Sequence, residues 1–163
     1  MDPAFSDELV RLLPNLKRFG LSLSRRNDLA DDLVQITVER AIKAYASYDG
    51  AQRLEPWLFR IMRNAWIDMT RRTRTQGQQV DVFDIPDALP VDDRPAIEAR
   101  LMLQSVENAM TSLPDEQREV LHLICIDDMS YAEAAEVLGI PKGTVMSRLS
   151  RARIALADKV GIK

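Results

Sequence analysis

The chain has 163 residues, 46% hydrophobic, 29% charged and 6% aromatic, which is apolar material for one mid-sized domain or two small ones. No apolar run reaches the roughly 20 residues of a membrane span, and the start Met1-Asp2-Pro3 lacks the basic beginning and apolar stretch of a signal peptide, so a soluble cytoplasmic protein without membrane insertion is expected. The single cysteine, Cys125, forbids an intramolecular disulfide, and the single histidine, His122, cannot assemble the usual zinc sites. No metal and no cofactor are expected; Cys125 reads as a small buried thiol and His122 as an imidazole on a helix surface.

The net charge of −3 conceals a pattern, because residues 1–75 carry a net +3, residues 76–100 a net −4 and residues 101–163 a net −2. Residues 53–74 hold six arginines against Glu55 and Asp68, and residues 141–154 hold Lys142, Arg148, Arg151 and Arg153 with no acid. Two separate basic stretches on an acidic chain point to two local contacts with a polyanion.

In chain order, residues 5–25 carry Leu9, Leu12, Leu13, Leu16 and Phe19 at helical spacing. Asn27 or Asp28 is placed to cap the next helix, along which Leu29, Leu33, Ile36, Val38, Ala41, Ile42 and Tyr45 recur at three- and four-residue steps. The loop Ser47–Arg53 contains the turn pair Asp49-Gly50. A helix from Leu54 to about Thr73 follows, with Pro56 in its first turn and Leu54, Leu58, Ile61, Ala65 and Met69 inward. Trp57 reads as core, whereas Trp66 lies at the border between the two faces. Residues 76–96 combine Asp81, Asp84, Asp87, Asp92 and Asp93 with three prolines and read as a flexible acidic linker. Within it Val80–Ile85 alternates loosely like a strand, without a partner strand.

Beyond the linker, Ile97–Ser112 is helical with Leu101, Val106, Ala109 and Met110, and Pro114 opens a helix running through Val120, Leu121 and Ile124. Ser130 and Glu133 have the spacing of a capping box. The short helix that they start buries Tyr131, Ala134, Ala135 and Leu138 and stops at Gly139; the last one starts near Pro141 and buries Val145, Leu149, Ala152 and Leu156. The chain is expected to be all-α, with domains at 1–75 and 97–163 joined by the linker at 76–96.

Residues 130–153 fit a helix-turn-helix. Ala135 is small where two helices must approach, Gly139 allows the left-handed turn, and Val145 and Leu149 pin the second helix. That leaves Lys142, Gly143, Thr144, Met146, Ser147, Ser150 and Arg151 outward, where such helices meet base edges and phosphates. Arg151 has the geometry for a bidentate contact to guanine and Ser147 for a single base contact. Lys142, Thr144, Arg148 and Arg153 suit phosphates, beside the free N–H groups at the helix start.

Asp28-Leu-Ala-Asp-Asp-Leu-Val-Gln35, Trp57-Leu-Phe-Arg-Ile-Met-Arg-Asn64 with Asp68 and Arg71-Arg72, Leu113-Pro-Asp-Glu-Gln-Arg-Glu-Val-Leu121, and Ser130-Tyr-Ala-Glu-Ala-Ala135 with Gly143-Thr-Val-Met-Ser-Arg-Leu-Ser-Arg-Ala-Arg153 together resemble the extracytoplasmic-function (ECF) sigma factors of the sigma-70 family. The resemblance follows the family's order and covers nearly all of the chain outside the linker. It implies two small helical domains, regions 2 and 4, in a subunit that directs bacterial core RNA polymerase to promoters and is not itself an enzyme. Region 4 would read the −35 element through Lys142, Thr144, Met146, Ser147, Arg148, Ser150, Arg151 and Arg153. Region 2 would capture the melting −10 element through Tyr48, Asp49, Gly50, Arg53, Arg60, Arg63, Asn64, Arg71, Arg72 and Arg74. Asp31, Asp32, Gln35 and Glu39 would dock the polymerase clamp coiled coil, with the flap as a second polymerase contact, and a cognate anti-sigma factor is the expected regulator. Met146 departs from the basic residue of many relatives.

Two other readings compete. A stand-alone helix-turn-helix regulator leaves residues 28–74 unexplained. A sigma-like decoy that only sequesters an anti-sigma factor has no need of the basic residues that both domains keep.

Overall fold

The apolar periodicities become seven α-helices among the residues that the computed structural model describes, 1–75 and 97–161. They are α1 (Pro3–Ser24), α2 (Asn27–Lys43), α3 (Leu54–Thr75), α4 (Ile97–Thr111), α5 (Asp115–Leu121), α6 (Tyr131–Leu138) and α7 (Lys142–Val160). No strand occurs among the described residues, and the acidic segment 76–96, Val80–Ile85 included, lies outside them.

Helices α1–α3 form a first lobe. The Asp2 carboxylate accepts from the Ala4 amide at 3.0 Å and starts α1, and the helix buries Leu9, Leu12, Leu16 and Phe19. Where α1 meets α2 the spacing is too tight for a side chain: a Cβ on Gly20 would stand 3.3 Å from the Ala30 Cα. The start of α2 departs from the sequence expectation. Arg26, not Asn27 or Asp28, is the N-cap residue, and no side chain closes it. The Asp28 carboxylate instead takes two N–H bonds from the Arg26 guanidinium, at 3.0 and 2.6 Å, and is held below its ordinary pKa by that pairing first. At the other end of α2, Ala41 occupies the core position and Ile42 is turned outward, against expectation.

Along α3 the inward stripe is wider than a single amphipathic face. Leu54, Leu58 and Ala65 are buried as expected, but so are Phe59 and Met62, neither with any exposure. The reason is a second neighbour: α3 packs on α1 and α2 from one side and on α6 from the other.

Helices α4–α7 form the second lobe. The sequence suggests one helix from Pro114 through Ile124; instead α5 ends at Leu121 and loosens into a π turn, His122–Ile126. The Asp127 amide closes it on the His122 carbonyl at 3.0 Å. Within this turn His122 is buried, at 4% exposure, and Cys125 is exposed to solvent. Both single-residue readings are therefore corrected: the imidazole is buried and the thiol is not. Helix α6 starts with the anticipated capping box, Ser130 Oγ accepting from the Glu133 amide and Glu133 Oε1 accepting from the Ser130 amide, both at 3.0 Å. It ends at Gly139 with φ 65°.

The two lobes dock directly and share one apolar core. Phe19 stacks on Phe59 at 4.6 Å, and His122 of the second lobe lies 5.4 Å from the same Phe19 ring. Arg118, 3% exposed, crosses from α5 to give the Ser22 carbonyl an N–H at 2.8 Å while also reaching the Leu113 carbonyl and the Asp115 carboxylate at 3.2 and 2.7 Å. Arg25 answers in the other direction, 3.5 Å from the Leu113 carbonyl.

Candidate nucleic-acid interface

The start of α7 carries the densest set of outward groups in the second lobe. Val145, Leu149 and Ala152 hold the helix to its core, and at 3.6 residues per turn this leaves Gly143, Ser147, Ser150 and Arg151 on the opposite side. Those four are exposed, as are Lys142 and Arg153. Met146 projects from a flank with 51% exposure. Thr144 and Arg148 occupy the other flank and are half-buried, Arg148 standing 3.8 Å from Glu116 of α5. A Cβ on Gly143 would meet nothing within 4 Å, so this glycine leaves a smooth, open helix start facing solvent. Free N–H groups, the positive end of the helix dipole and Lys142 converge there, a combination suited to phosphate.

In the first lobe, Arg60, Asn64, Arg71 and Arg74 fall at steps of four, seven and three along α3 and share one exposed stripe with Arg72 at its edge. The loop ahead of α3 is built rather than loose. The Asp49 carboxylate accepts from the Ala51 amide at 3.0 Å, and the Asp49 carbonyl accepts from the Gln52 amide at 3.0 Å; Gly50 is exposed at the tip. The Tyr48 hydroxyl donates to the Gln52 carbonyl, while its ring lies 4.9 Å from Trp57 and 5.8 Å from Phe5. Burial, then the nearby Glu8 and Asp49 carboxylates, raise the Tyr48 phenol pKa, so the group stays a neutral donor. Tyr48 and Trp57 are both partly buried against the core, and so is Trp66.

Arg53 and Arg63 are not in the open stripe. Arg53 donates to both carboxylate oxygens of Glu133 at 2.9 and 3.1 Å, and Arg63 reaches Glu119 at 3.2 Å and the Leu138 carbonyl at 3.4 Å. Burial pushes the Glu119 carboxyl above its ordinary pKa, with Arg63 opposing. Two of the first lobe's candidate DNA-binding cations are thus held by the second lobe. Asp31, Asp32, Gln35 and Glu39 line one exposed face of α2, with Asp31 paired to Lys17 of α1 and Gln35 3.4 Å from Glu39.

Sequence reasoning missed Arg25, Arg118, Glu119 and Glu133 as an interlobe lattice. The one local signal was the charged pair Arg118-Glu119, set directly before the apolar run that begins at Val120.

The geometry defines a two-lobe helical protein with a helix-turn-helix in one lobe and a cationic, aromatic-flanked helix in the other. Comparison with known proteins agrees. Residues 9–76 match the family model of sigma-70 region 2 and residues 103–156 that of sigma-70 region 4. The ECF RNA polymerase sigma factor EcfG of Rhodopseudomonas palustris is 36% identical over 93% of this chain and 82% of its own length. The ECF sigma factor SigM of Bacillus subtilis is 32% identical over 90% of each chain. Among solved structures, the sigma factor RpoE bound to the anti-sigma factor NepR, from Bartonella quintana, is 34% identical, covers 99% of both chains and superposes with a TM-score of 0.82. CnrH, solved with the cytosolic domain of CnrY, is 30% identical over 95% of this chain and 86% of its own, with a TM-score of 0.66.

The chain belongs to the ECF sigma factors of the sigma-70 family. It is a transcription initiation factor for RNA polymerase, and the phosphoryl transfer of RNA synthesis is the polymerase's own. No described helix is long and apolar enough to cross a membrane.

Proposed function

We propose that the two lobes divide promoter recognition between them, 1–75 acting as region 2 and 97–163 as region 4, in the cytoplasm beside core polymerase. The observation that carries this reading is the open start of α7, where Gly143, Ser147, Ser150 and Arg151 face solvent together. Seated in the major groove of a −35 element, Arg151 takes a guanine edge and Ser147 and Ser150 take neighbouring base edges. Met146 gives an apolar contact such as a thymine methyl, and Lys142, Thr144, Arg148 and Arg153 hold phosphates. The −10 strand runs along α3, against Arg60, Asn64, Arg71, Arg72 and Arg74. A flipped base is received at the Tyr48-Asp49-Gly50 loop, where a supported aromatic wall suits stacking.

Arg53 and Arg63 join that strand only when the lobes part, because both are paired to the second lobe in the docked form. Asp31, Asp32, Gln35 and Glu39 meet the clamp coiled coil, and region 4 meets the flap. A small anti-sigma factor that holds the docked lobes is the expected regulator; the solved sigma factor RpoE of Bartonella quintana is bound to the anti-sigma factor NepR. Pull-down with bacterial core polymerase, followed by run-off transcription from a genomic fragment library, tests the reading. Stable association with transcripts sharing a −35 and a −10 element is expected. Tight duplex binding by the protein alone, without association, would replace it with an operator-binding regulator.

A further inference from the structure

The seam between the lobes holds a buried polar cluster that promoter recognition does not use. Glu55, in the first turn of α3, and Asp127 and His122, at either end of the π turn, are 8%, 8% and 4% exposed. Asp127 is near enough to Glu55 for its carboxylate to raise the Glu55 pKa, and His122 Nε2 stands 2.8 Å from Asp127 Oδ2. Glu55 Oε1, Asp127 Oδ2 and His122 Nε2 all lack a hydrogen-bond partner, the imidazole–carboxylate approach being off the angle for one. These groups do not converge as metal ligands, and no such set occurs among the described residues.

Two neighbouring carboxylates offer only acceptors to each other. One proton allows an O–H···O bond between them and removes a buried charge, the usual resolution when two acids share a site. The surroundings supply little other relief. On α1, Asn15 donates to Glu55 Oε2 at 3.2 Å, and the more distant Arg11 feels the same carboxylate. Arg53, just ahead of α3, is turned to Glu133 of α6, and Arg63 is turned to Glu119 of α5. His122 is the remaining partner, and it faces Asp127. We propose that the Glu55–Asp127 pair, backed by His122, is a proton-operated latch: a proton taken up at the seam holds the two lobes docked, and its loss favours their separation.

The direction agrees with the chemistry of the buried acid. Burial first, and Asp127 second, raise the Glu55 pKa, with Asn15 and Arg53 opposing. A group raised in the docked form favours that form fully below its open-state value, about 4.3 for a solvated glutamate. The advantage is lost as pH rises through the raised value. One linked proton changes the docked-to-open ratio by at most about tenfold per pH unit inside that window. Separation releases Arg53 from Glu133 and Arg63 from Glu119, so the latch controls the availability of two cations. The inference concerns the lobes of the free chain and does not depend on which bases they later contact.

The test is small-angle scattering of the full chain between about pH 4.5 and about pH 8, with circular dichroism confirming constant helicity. The wild-type radius of gyration is expected to grow as pH rises. Glu55→Gln, whose amide donates permanently to Asp127, is expected to stay docked throughout. If that variant fails to fold, Asp127→Asn serves the same purpose from the other side. A wild-type radius independent of pH, a folded Glu55→Gln protein that is open at every pH, or an unchanged transition in either variant would overturn the latch.

Discussion

Arg118 illustrates how much one side chain carries at the seam. Its guanidinium serves the Ser22 and Leu113 carbonyls and the Asp115 carboxylate at once, with 3% exposure. Arg118→Leu leaves the Ser22 carbonyl without its donor and the Leu113 carbonyl with only the longer Arg25 contact, and is expected to cost about 2–4 kcal/mol, read as a lower denaturation midpoint. On the DNA-facing side the argument is about direction rather than burial. Arg151→Ala is expected to cost about 1–3 kcal/mol and relax preference at one −35 base pair, whereas Lys142→Ala weakens all sequences alike and lowers the salt slope by about 1. Binding titrations on a set of single-base promoter variants at two salt concentrations separate the two. An equal loss on every variant for Arg151→Ala would remove its base-reading role.

At the scale of elements, α6, its turn and α7 were legible because their determinants are local. A capping serine, a glutamate three residues on, a glycine at the left-handed position and an apolar pair on the next helix lie within one short window. The three helices of the first lobe were legible from the same periodicity, with errors at their edges. Helix α2 starts one residue earlier than expected, with Arg26 at the cap and the Asp28 carboxylate paired to it, and Ala41 rather than Ile42 fills the core position. The π turn was illegible: the local sequence Val120–Ile126 reads as an unbroken helix, and His122 meets Phe19, 103 positions away in the sequence. Gly143 tests what α7 is for. Helix propensity favours Gly143→Ala by up to about 0.5–1 kcal/mol, and nothing in the protein obstructs the added Cβ. A small rise in thermal stability with weaker −35 binding is expected, and stronger binding would show that no phosphate approaches this turn.

On the scale of the whole molecule, the interlobe contacts join residues far apart in sequence. Arg63 meets Glu119 across 56 positions, Arg53 meets Glu133 across 80, and Arg118 meets Ser22 across 96. Nothing in residue spacing announces such pairs, so the candidate DNA contacts could be read one by one but not the fact that two are occupied. The arrangement makes docking and strand capture compete for the same guanidinium groups. A Glu119→Gln, Glu133→Gln double variant is expected to bind single-stranded DNA about three- to tenfold more tightly than wild type at low salt, the equivalent of about 1 kcal/mol. Fluorescence anisotropy with a labelled oligonucleotide checks it. Equal affinity would mean that the lobes part without resistance from these pairs.

The exposed Cys125 of the π turn also makes the native chain its own ruler. Both tryptophans, Trp57 and Trp66, sit on α3 in the first lobe, and the lone thiol sits at the surface of the second. A single acceptor dye on that thiol therefore reads indole emission across the seam. Lobe separation becomes an optical distance in an otherwise unaltered sequence.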